Sequence, residues 1–177
     1  MSLFHSLMKP EYYNAAVKFT VNDERCDNPA HYNSYIQQGS LSDHRTGMGA
    51  TFVFYEEDGE NIEIHGYVTI KASSLVKDYG EAKKMGFPAL EIAELAVSSK
   101  HENSGVGTAM VGFAIEKADE LRKEHLGIQY ILLCADPKAV GFYRKLGFSM
   151  IQEQSGEIPR ERWNQTCVPM YLKLNEL

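Results

Sequence analysis

The chain has 177 residues and a net charge of −6 at pH 7, and 44% of its residues are hydrophobic. This length and composition predict one globular domain, residues 1–177, rather than a disordered or fibrous chain. The acidic balance argues against a general nucleic-acid surface, and no apolar run reaches the roughly 20 residues that a membrane-spanning helix needs.

The first half of the chain alternates short helical and extended patterns. Asn28 before Pro29 is typical of a helix start, and Asp58 before Gly59 predicts a hairpin turn between two strands. The predicted elements are, in order, a strand over 15–21, a helix over 29–38, a loop over 40–49, strands over 50–55 and 62–70, and a short helix within 73–85.

The second half has the order of a strand–helix–strand unit. Apolar residues at helical spacing predict an amphipathic helix over 106–124, and the nearly unbroken apolar run over 128–135 is typical of a strand buried on both faces. The other predicted elements are a strand over 90–97, a short helix over 139–146, and strands over 148–152 and 167–174. We therefore predict an α/β fold with a mixed central sheet of about six or seven strands.

The cysteines and histidines form no recognisable pattern. The three cysteines are odd in number, widely spaced and never in a CxxC pair: Cys26, Cys134 and Cys167. Because the first residues also lack the cationic and apolar segments of a secretory signal, we predict reduced thiols in a cytoplasmic protein. The six histidines show no HxxxH or HxH spacing, so we expect no metal site.

A glycine-containing loop joins the strand over 90–97 to the helix over 106–124. Gly105 and Gly107 let the backbone approach an anion where a Cβ would collide, and the helix start offers unpaired N–H groups. The N–H groups of four residues would then bind a pyrophosphate: Asn103, Ser104, Val106 and Thr108. The alternative is a plain strand-to-helix turn that Ser104 caps.

Two segments together resemble the GCN5-related N-acetyltransferase (GNAT) family. Residues 102–107 read ENSGVG, where the family has Gln or Arg, two residues, Gly, one residue, and Gly or Ala. Residues 136–148 read DPKAVGFYRKLGF, where the family has Asn, two residues, Ala, then an aromatic–Tyr pair and Gly-Phe. Glu102 and Asp136 depart from these patterns, and the other positions agree.

The resemblance implies acetyl-CoA as co-substrate and an acyl-CoA-binding core over about residues 89–150. Tyr143 would protonate the departing thiolate, and the alternative is a tyrosine that packs in the core with its hydroxyl at the surface. Asp136 would accept a hydrogen bond from the carrier or cap the next helix. Either Lys100 or His101 would offset the charge of Glu102, or Glu102 would point to solvent. The implied cofactor-binding set is Leu95, Ala96, Val97, Glu102, Asn103, Ser104, Gly105, Val106, Gly107, Thr108, Asp136 and Tyr143.

The strand over 90–97 also carries two candidates for a base. Carboxylates in such strands are uncommon unless they form an ion pair or have a functional role. A carboxylate with a raised pKa can accept the proton of an attacking amine. Alternation puts Glu91 and Glu94 on opposite faces, and we prefer Glu94, or a water that it orders, because it lies nearer the loop. The alternative is a buried salt bridge to Arg or Lys. In the family, backbone groups of Leu95 and Val97 pair with the pantetheine arm, and an N–H there can hold an oxyanion.

The resemblance therefore predicts an N-acetyltransferase that modifies a primary amine of a small molecule or peptide by direct attack, without a covalent acyl-enzyme. One subset looks closer, the toxins that acetylate aminoacyl-tRNA, although the net charge of −6 argues against tRNA as a partner. A CoA-binding module that has lost catalysis is a third alternative. Domains of this kind often form homodimers. The sequence does not name the acceptor, whose pocket we expect within residues 32–48 and 73–87.

Overall fold

The computed structural model describes residues 3–80, 83–151 and 167–174. Its first half contains three short helices, separated or continued by 3₁₀ and π turns, and the first strands of a sheet. The helices are α1 (Tyr13–Ala16), α2 (Pro29–Ser34) and α3 (Ser40–Thr46), and the strands are β1 (Phe4–Leu7), β2 (Ala50–Asp58) and β3 (Asn61–Asp78). Within the described part of the chain, no helix is both long and apolar enough to cross a membrane.

The second half adds four strands and two helices to the same architecture. They are β4 (Lys84–Val97), α4 (Val106–Glu124), β5 (Tyr130–Ala135), α5 (Val140–Lys145), β6 (Ser149–Met150) and β7 (Val168–Lys173). Hydrogen bonding orders the strands as β1-β2-β3-β4-β5-β7-β6 in one sheet. The pair β4–β5 is parallel, whereas β1–β2, β2–β3, β5–β7 and β6–β7 are antiparallel. The prediction of an α/β fold with a mixed seven-stranded sheet is therefore confirmed.

The chain forms two compact units, each with its own apolar core. One unit consists of Met1–Lys71 and Ala93–Ala114, and the other of Ala72–Ile92 and Ile115–Leu177. The core of the first packs aromatic and aliphatic side chains, including Phe19, Ile36, Val53 and Tyr67. The core of the second is smaller and contains Leu75, Ala89, Tyr130, Leu132 and Ile151.

Several predicted elements agree closely with the structure. The helix over 106–124 has the bounds of α4, and the hairpin turn is made by Gly59 at φ 62° between β2 and β3. Residues 154–164, whose polar sequence predicts a connection between the last two strands, lie outside the described residues. The local signals were strong in these places because helical periodicity and an Asp-Gly turn each favour one backbone conformation.

The predicted first strand, residues 15–21, is wrong. Pro10 opens a 3₁₀ turn that continues into α1, and the N–H of Val17 donates to the carbonyl of Tyr13 at 3.0 Å. The first strand is instead β1, which pairs with β2 from Phe4 opposite Tyr55 to Leu7 opposite Phe52. The alternation over 15–21 was weak, and the distant partner strand decides which segment is extended.

The predicted end of the second helix at Gly39 is also wrong. The helical path continues through a π turn over Tyr35–Gly39 into α3 and ends at Gly47, whose φ is 74°. A Cβ on Gly39 would lie 2.6 Å from the ring of Tyr35, so this glycine makes room for an aromatic side chain rather than ending a helix.

The short helix predicted within 73–85 does not form. β3 extends to Asp78, a turn at Gly80 with φ 78° reverses the chain, and β4 begins at Lys84. Leu75 is buried and Val76 is exposed. This two-residue period is the strand signal that the prediction missed.

The prediction of three reduced cysteines is wrong for two of them. Cys134 of β5 and Cys167 next to β7 form a disulfide, with Cα atoms 5.5 Å apart, whereas Cys26 is buried and takes no part in this bond. The antiparallel pairing of β5 with β7 brings the two cysteines together across 33 positions of sequence. The expectation of a cytoplasmic protein relied partly on reduced thiols, so it loses that support.

Candidate functional site

The glycine loop has the backbone of an anion-binding turn. Asn103 and Gly105 adopt positive φ angles of 58° and 89°, and the carbonyl of Gly105 accepts the first hydrogen bond of α4 from Ala109. The Ser104 hydroxyl donates to the carbonyl of His101. Ser104 therefore ties the loop back to the preceding turn, and the first N–H groups of α4, which have no partner within the helix, lie at this loop.

Arg25 supplies a positive charge to this loop. Its Nε lies 3.3 Å from Glu102 Oε2, and its Nη1 donates to Asn103 Oδ1 at 3.3 Å. Asn22 Nδ2 donates to the same Glu102 carboxylate at 3.4 Å. The prediction that Lys100 or His101 offsets Glu102 is wrong, since Lys100 pairs with Glu63 and the partner of Glu102 is Arg25.

Glu94 forms a close pair with His31. Its side chain is 18% exposed, and its Oε1 lies 2.9 Å from His31 Nε2. Burial raises the pKa of the Glu94 carboxyl, and the hydrogen bond with His31 and the charge of Lys71 oppose this shift. The partner of Glu94 is therefore a histidine, not the Arg or Lys of the alternative considered above, and the carboxyl has a raised pKa, as a general base does.

Aromatic side chains surround this pair. The Tyr67 hydroxyl donates to the carbonyl of Tyr32 at 2.9 Å, and burial raises the pKa of Tyr67 well above its ordinary value. The Tyr35 ring stacks on Tyr67 at 6.0 Å and its hydroxyl donates to Asp43. The His31 ring lies 5.3 Å from Tyr32 and 6.1 Å from Tyr35. Two of these rings therefore contact His31, the partner of the Glu94 carboxyl.

The remaining predicted backbone ligands lie at the end of β4. The parallel register of β4 with β5 runs from Ala89 opposite Tyr130 to Ile92 opposite Leu133. Leu95, Ala96 and Val97 follow that register, and their pairing with a pantetheine arm stays a prediction. Glu91 lies within the register, opposite Leu132.

The other two predicted site residues belong to the second unit. Tyr143 of α5 is buried, with ring contacts to Phe142 at 5.0 Å and Phe148 at 5.8 Å. Asp136 Oδ1 accepts a hydrogen bond from the N–H of Lys138 at 2.9 Å, so it caps the 3₁₀ turn before α5. The capping alternative for Asp136 is therefore confirmed, while a bond to the carrier stays a prediction, as does the role of Tyr143.

Arg25 and His31 are the residues that the sequence did not reveal. Each meets its partner across a large sequence separation, 78 positions for Arg25 with Asn103 and 63 for His31 with Glu94. Neither lies in a motif. The indirect signal was Glu102, a carboxylate in a phosphate-binding loop that required a cation from elsewhere in the chain.

The comparisons with known proteins concern the family and the fold. The family model described as "Acetyltransferase (GNAT) family" matches residues 5–148. Among solved structures, AtaT complexed with acetyl-methionyl-tRNAfMet has a TM-score of 0.76 at 15% identity, over 99% of this chain and 96% of that chain.

Two further solved structures are similar to this chain over nearly their whole length. The KacTA–DNA complex has a TM-score of 0.71 at 16% identity, over 99% and 95% of the two chains. AtaTR bound with AcCoA has a TM-score of 0.69 at 19% identity, over 98% and 94%. These identities are low, so the similarities show a shared fold.

Proposed function

The chain belongs to the acetyltransferase (GNAT) family and is an N-acetyltransferase with acetyl-CoA as its co-substrate, and from this premise we propose that it acetylates a primary amine by direct attack, with Glu94 as the base. The observation that carries the proposal is the contact of the largely buried Glu94 carboxylate with His31, in the same unit as the glycine loop. Acetyl-CoA supplies a thioester carbonyl that an unprotonated amine attacks.

The glycine loop fits the pyrophosphate of this co-substrate. At Gly105 an added Cβ would meet no atom within 4 Å, so the backbone faces open space where a phosphate oxygen is able to approach. The N–H groups from Asn103 to Thr108 would hold the pyrophosphate, and Arg25 would neutralise part of its charge while keeping Glu102 turned away.

Glu94 and His31 would move the proton of the acceptor amine. An alkylamine is protonated at neutral pH and must lose one proton before it attacks, and Glu94 Oε1 or a water held there accepts it. His31 is 45% exposed, so it links the largely buried carboxylate to solvent. The proton would pass from Glu94 through His31 to water. Tyr143 Oη would hold the proton that the departing sulfur takes up.

A small-molecule or peptide amine is the first candidate acceptor. The net charge of −6 favours a compact cationic amine over a polyanion. The half-buried rings of Tyr32 and Tyr35 beside His31 suit an alkylammonium group, which binds to aromatic faces.

The amino group of an aminoacyl-tRNA is the second candidate. It is supported by the similarity in fold, over 99% of this chain, to AtaT complexed with acetyl-methionyl-tRNAfMet. The net charge of −6 opposes tRNA binding, so this candidate requires a local basic surface. It predicts tRNA binding that weakens steeply as the salt concentration rises.

One transfer experiment separates these candidates. The purified protein is incubated with radiolabelled acetyl-CoA and, in separate reactions, with charged tRNA, uncharged tRNA, polyamines and short peptides with free amino groups. Label that follows charged tRNA and is released by ribonuclease supports the second candidate, and label on polyamines or peptides supports the first. Binding of acetyl-CoA without transfer to any amine would favour the non-catalytic CoA-binding module.

Arg25→Ala should raise the KM for acetyl-CoA roughly tenfold, which corresponds to one lost charged hydrogen bond. It removes the cation that holds Glu102 and Asn103, so an unpaired carboxylate would then face the phosphates. Steady-state kinetics with acetyl-CoA varied would measure the change, and kcat should stay near the wild-type value. Arg45→Ala, at the last turn of α3, is the matched control. Equal KM values for Arg25→Ala and wild type would rule out this role for Arg25.

Gly105→Ala should weaken acetyl-CoA binding about tenfold. Its φ of 89° is unfavourable for any residue with a Cβ. The loop must therefore change its conformation, at a free-energy cost of about 1–2 kcal/mol. Isothermal titration calorimetry gives the affinity. Gly112→Ala, within α4, adds the same methyl group with no atom within 4 Å of it and should bind like the wild type. Equal weakening by both substitutions would contradict the role of the loop.

A further inference from the structure

A second polar cluster lies beside the turn that leads into the glycine loop. It consists of Glu63 and His65, two positions apart on β3, and His101, the last residue of the 3₁₀ turn Ser99–His101. One ligand atom from each residue lies within 4.8 Å of the others. The two imidazole rings are stacked, with centroids 3.4 Å apart and planes at 11°.

Both imidazoles have a buried nitrogen without a hydrogen bond. Among the described residues, neither His65 Nε2 nor His101 Nε2 has a hydrogen-bond partner. His101 Nε2 is 3.3 Å from Glu63 Oε1, yet that contact is not aligned as a hydrogen bond. Buried polar atoms are almost always satisfied, and His65 is 93% buried, so two such nitrogens, 3.8 Å and 3.3 Å from the oxygens of two glutamates, indicate a missing ligand.

The carboxylates of the cluster point to a cation. Glu56 of β2 lies directly opposite Glu63 of β3, and its Oε2 is 3.8 Å from His65 Nε2. Like charges at directly opposite positions of a strand pair are unfavourable. Lys100 pairs with Glu63 at 3.2 Å, but its side chain is 71% exposed, and such surface pairs contribute little.

We propose that Glu63, His65 and His101 bind a divalent transition-metal ion, with Glu56 as a further oxygen ligand. Two imidazole nitrogens and one or two carboxylate oxygens are a donor set that Zn²⁺, Co²⁺ and Ni²⁺ accept and that Mg²⁺ and Ca²⁺ do not prefer. Because each nitrogen lone pair lies in its ring plane, the two stacked rings rotate apart when both bind the ion.

An ion at this site would fix the position of His101, where the chain enters the glycine loop. His101 directly precedes Glu102, and the site ties it to β3, next to the backbone hydrogen bond from Ser98 N to the His65 carbonyl at 2.8 Å. A cavity of about 170 Å³, lined by Glu63, Ser98 and Lys100 among others, reaches the cluster at Glu63. Metal binding should therefore also increase the affinity for acetyl-CoA.

Cobalt titration of the full chain, after treatment with a chelator, tests the proposal. We expect one Co²⁺ per chain, visible absorption bands from its nitrogen ligands, displacement by Zn²⁺ and a higher Tm. His101→Gln and Glu63→Gln should each weaken Co²⁺ binding at least about tenfold. His125→Gln, which alters a histidine beside Glu124 outside the cluster, should bind like the wild type.

Two results would overturn the metal site. The first is a folded wild-type protein that neither binds Co²⁺ or Zn²⁺ nor changes its Tm with them. The second is unchanged binding by His101→Gln and His65→Gln, which would place the metal elsewhere. The melting curve of each metal-free variant shows that it is folded, so a lost signal reports a lost ligand. None of these readouts depends on acetyl transfer, so they stand apart from the proposed function.

Discussion

Glu94→Gln is expected to lower kcat for acetyl transfer about 10²- to 10⁴-fold, the usual contribution of a general base. The amide has nearly the shape of the carboxylate and is able to keep a hydrogen bond with His31, but it cannot accept the proton of the attacking amine. The affinity for acetyl-CoA should not change, because Glu94 is placed on the amine side of the reaction. Steady-state kinetics and calorimetry on the same preparations measure the two quantities.

The pH dependence of kcat is a second test of Glu94 as the base, because its direction follows from the raised pKa of this carboxyl. Burial raises the pKa of Glu94, so the base is lost by protonation as the pH falls, at a higher pH than for an exposed glutamate. The wild-type kcat profile should therefore show an acidic limb that Glu94→Gln lacks. His31→Ala removes a partner that lowers this pKa, so it should move the limb to higher pH.

Glu91→Gln is the matched control, since Glu91 lies three positions away on the same strand. It should retain kcat and the acidic limb of the profile. An inactive Glu91→Gln beside an active Glu94→Gln would reverse the assignment. If both variants keep the acidic limb, neither carboxylate titrates as the base, and a direct role for the β4 glutamates would be excluded.

The glycine loop and α4 were predictable because their signals are local. Gly105 has a positive φ, and the residue type alone indicates this, because glycine adopts such angles readily. The helical spacing of apolar residues over 106–124 is long enough to predict both ends of the helix. The same holds for the cap made by Asp136, whose partner is two residues away.

The rest of the candidate site depends on contacts that no local pattern records. Arg25 precedes the helix that begins at Pro29, and His31 lies within it. Both acquire a role only when they pack against the glycine loop and Glu94. His65 and His101 show no metal-binding spacing, because a strand and a distant turn bring them together. The wrongly predicted helix within 73–85 has a similar cause, since pairing in a sheet outweighs a weak helical preference.

Tyr143→Phe should lower kcat about 10²-fold or more, because it removes only the hydroxyl that would protonate the departing sulfur. The ring is buried between Phe142 and Phe148, and phenylalanine keeps both ring contacts, so the protein should fold and bind acetyl-CoA normally. The measurement pairs kcat with the calorimetric affinity for acetyl-CoA, so that chemistry and binding are separated.

Tyr130→Phe is the control for the loss of a buried phenol in general. Tyr130 is equally buried, and its ring contacts Phe87 and Tyr171. If Tyr143→Phe and Tyr130→Phe lower kcat by the same small factor, the effect belongs to packing, and Tyr143 is a core residue rather than the acid. A large loss for Tyr143→Phe alone, with unchanged affinity, distinguishes a catalytic proton donor from a protein that merely binds acetyl-CoA. A non-catalytic module would have no wild-type turnover for the substitution to reduce.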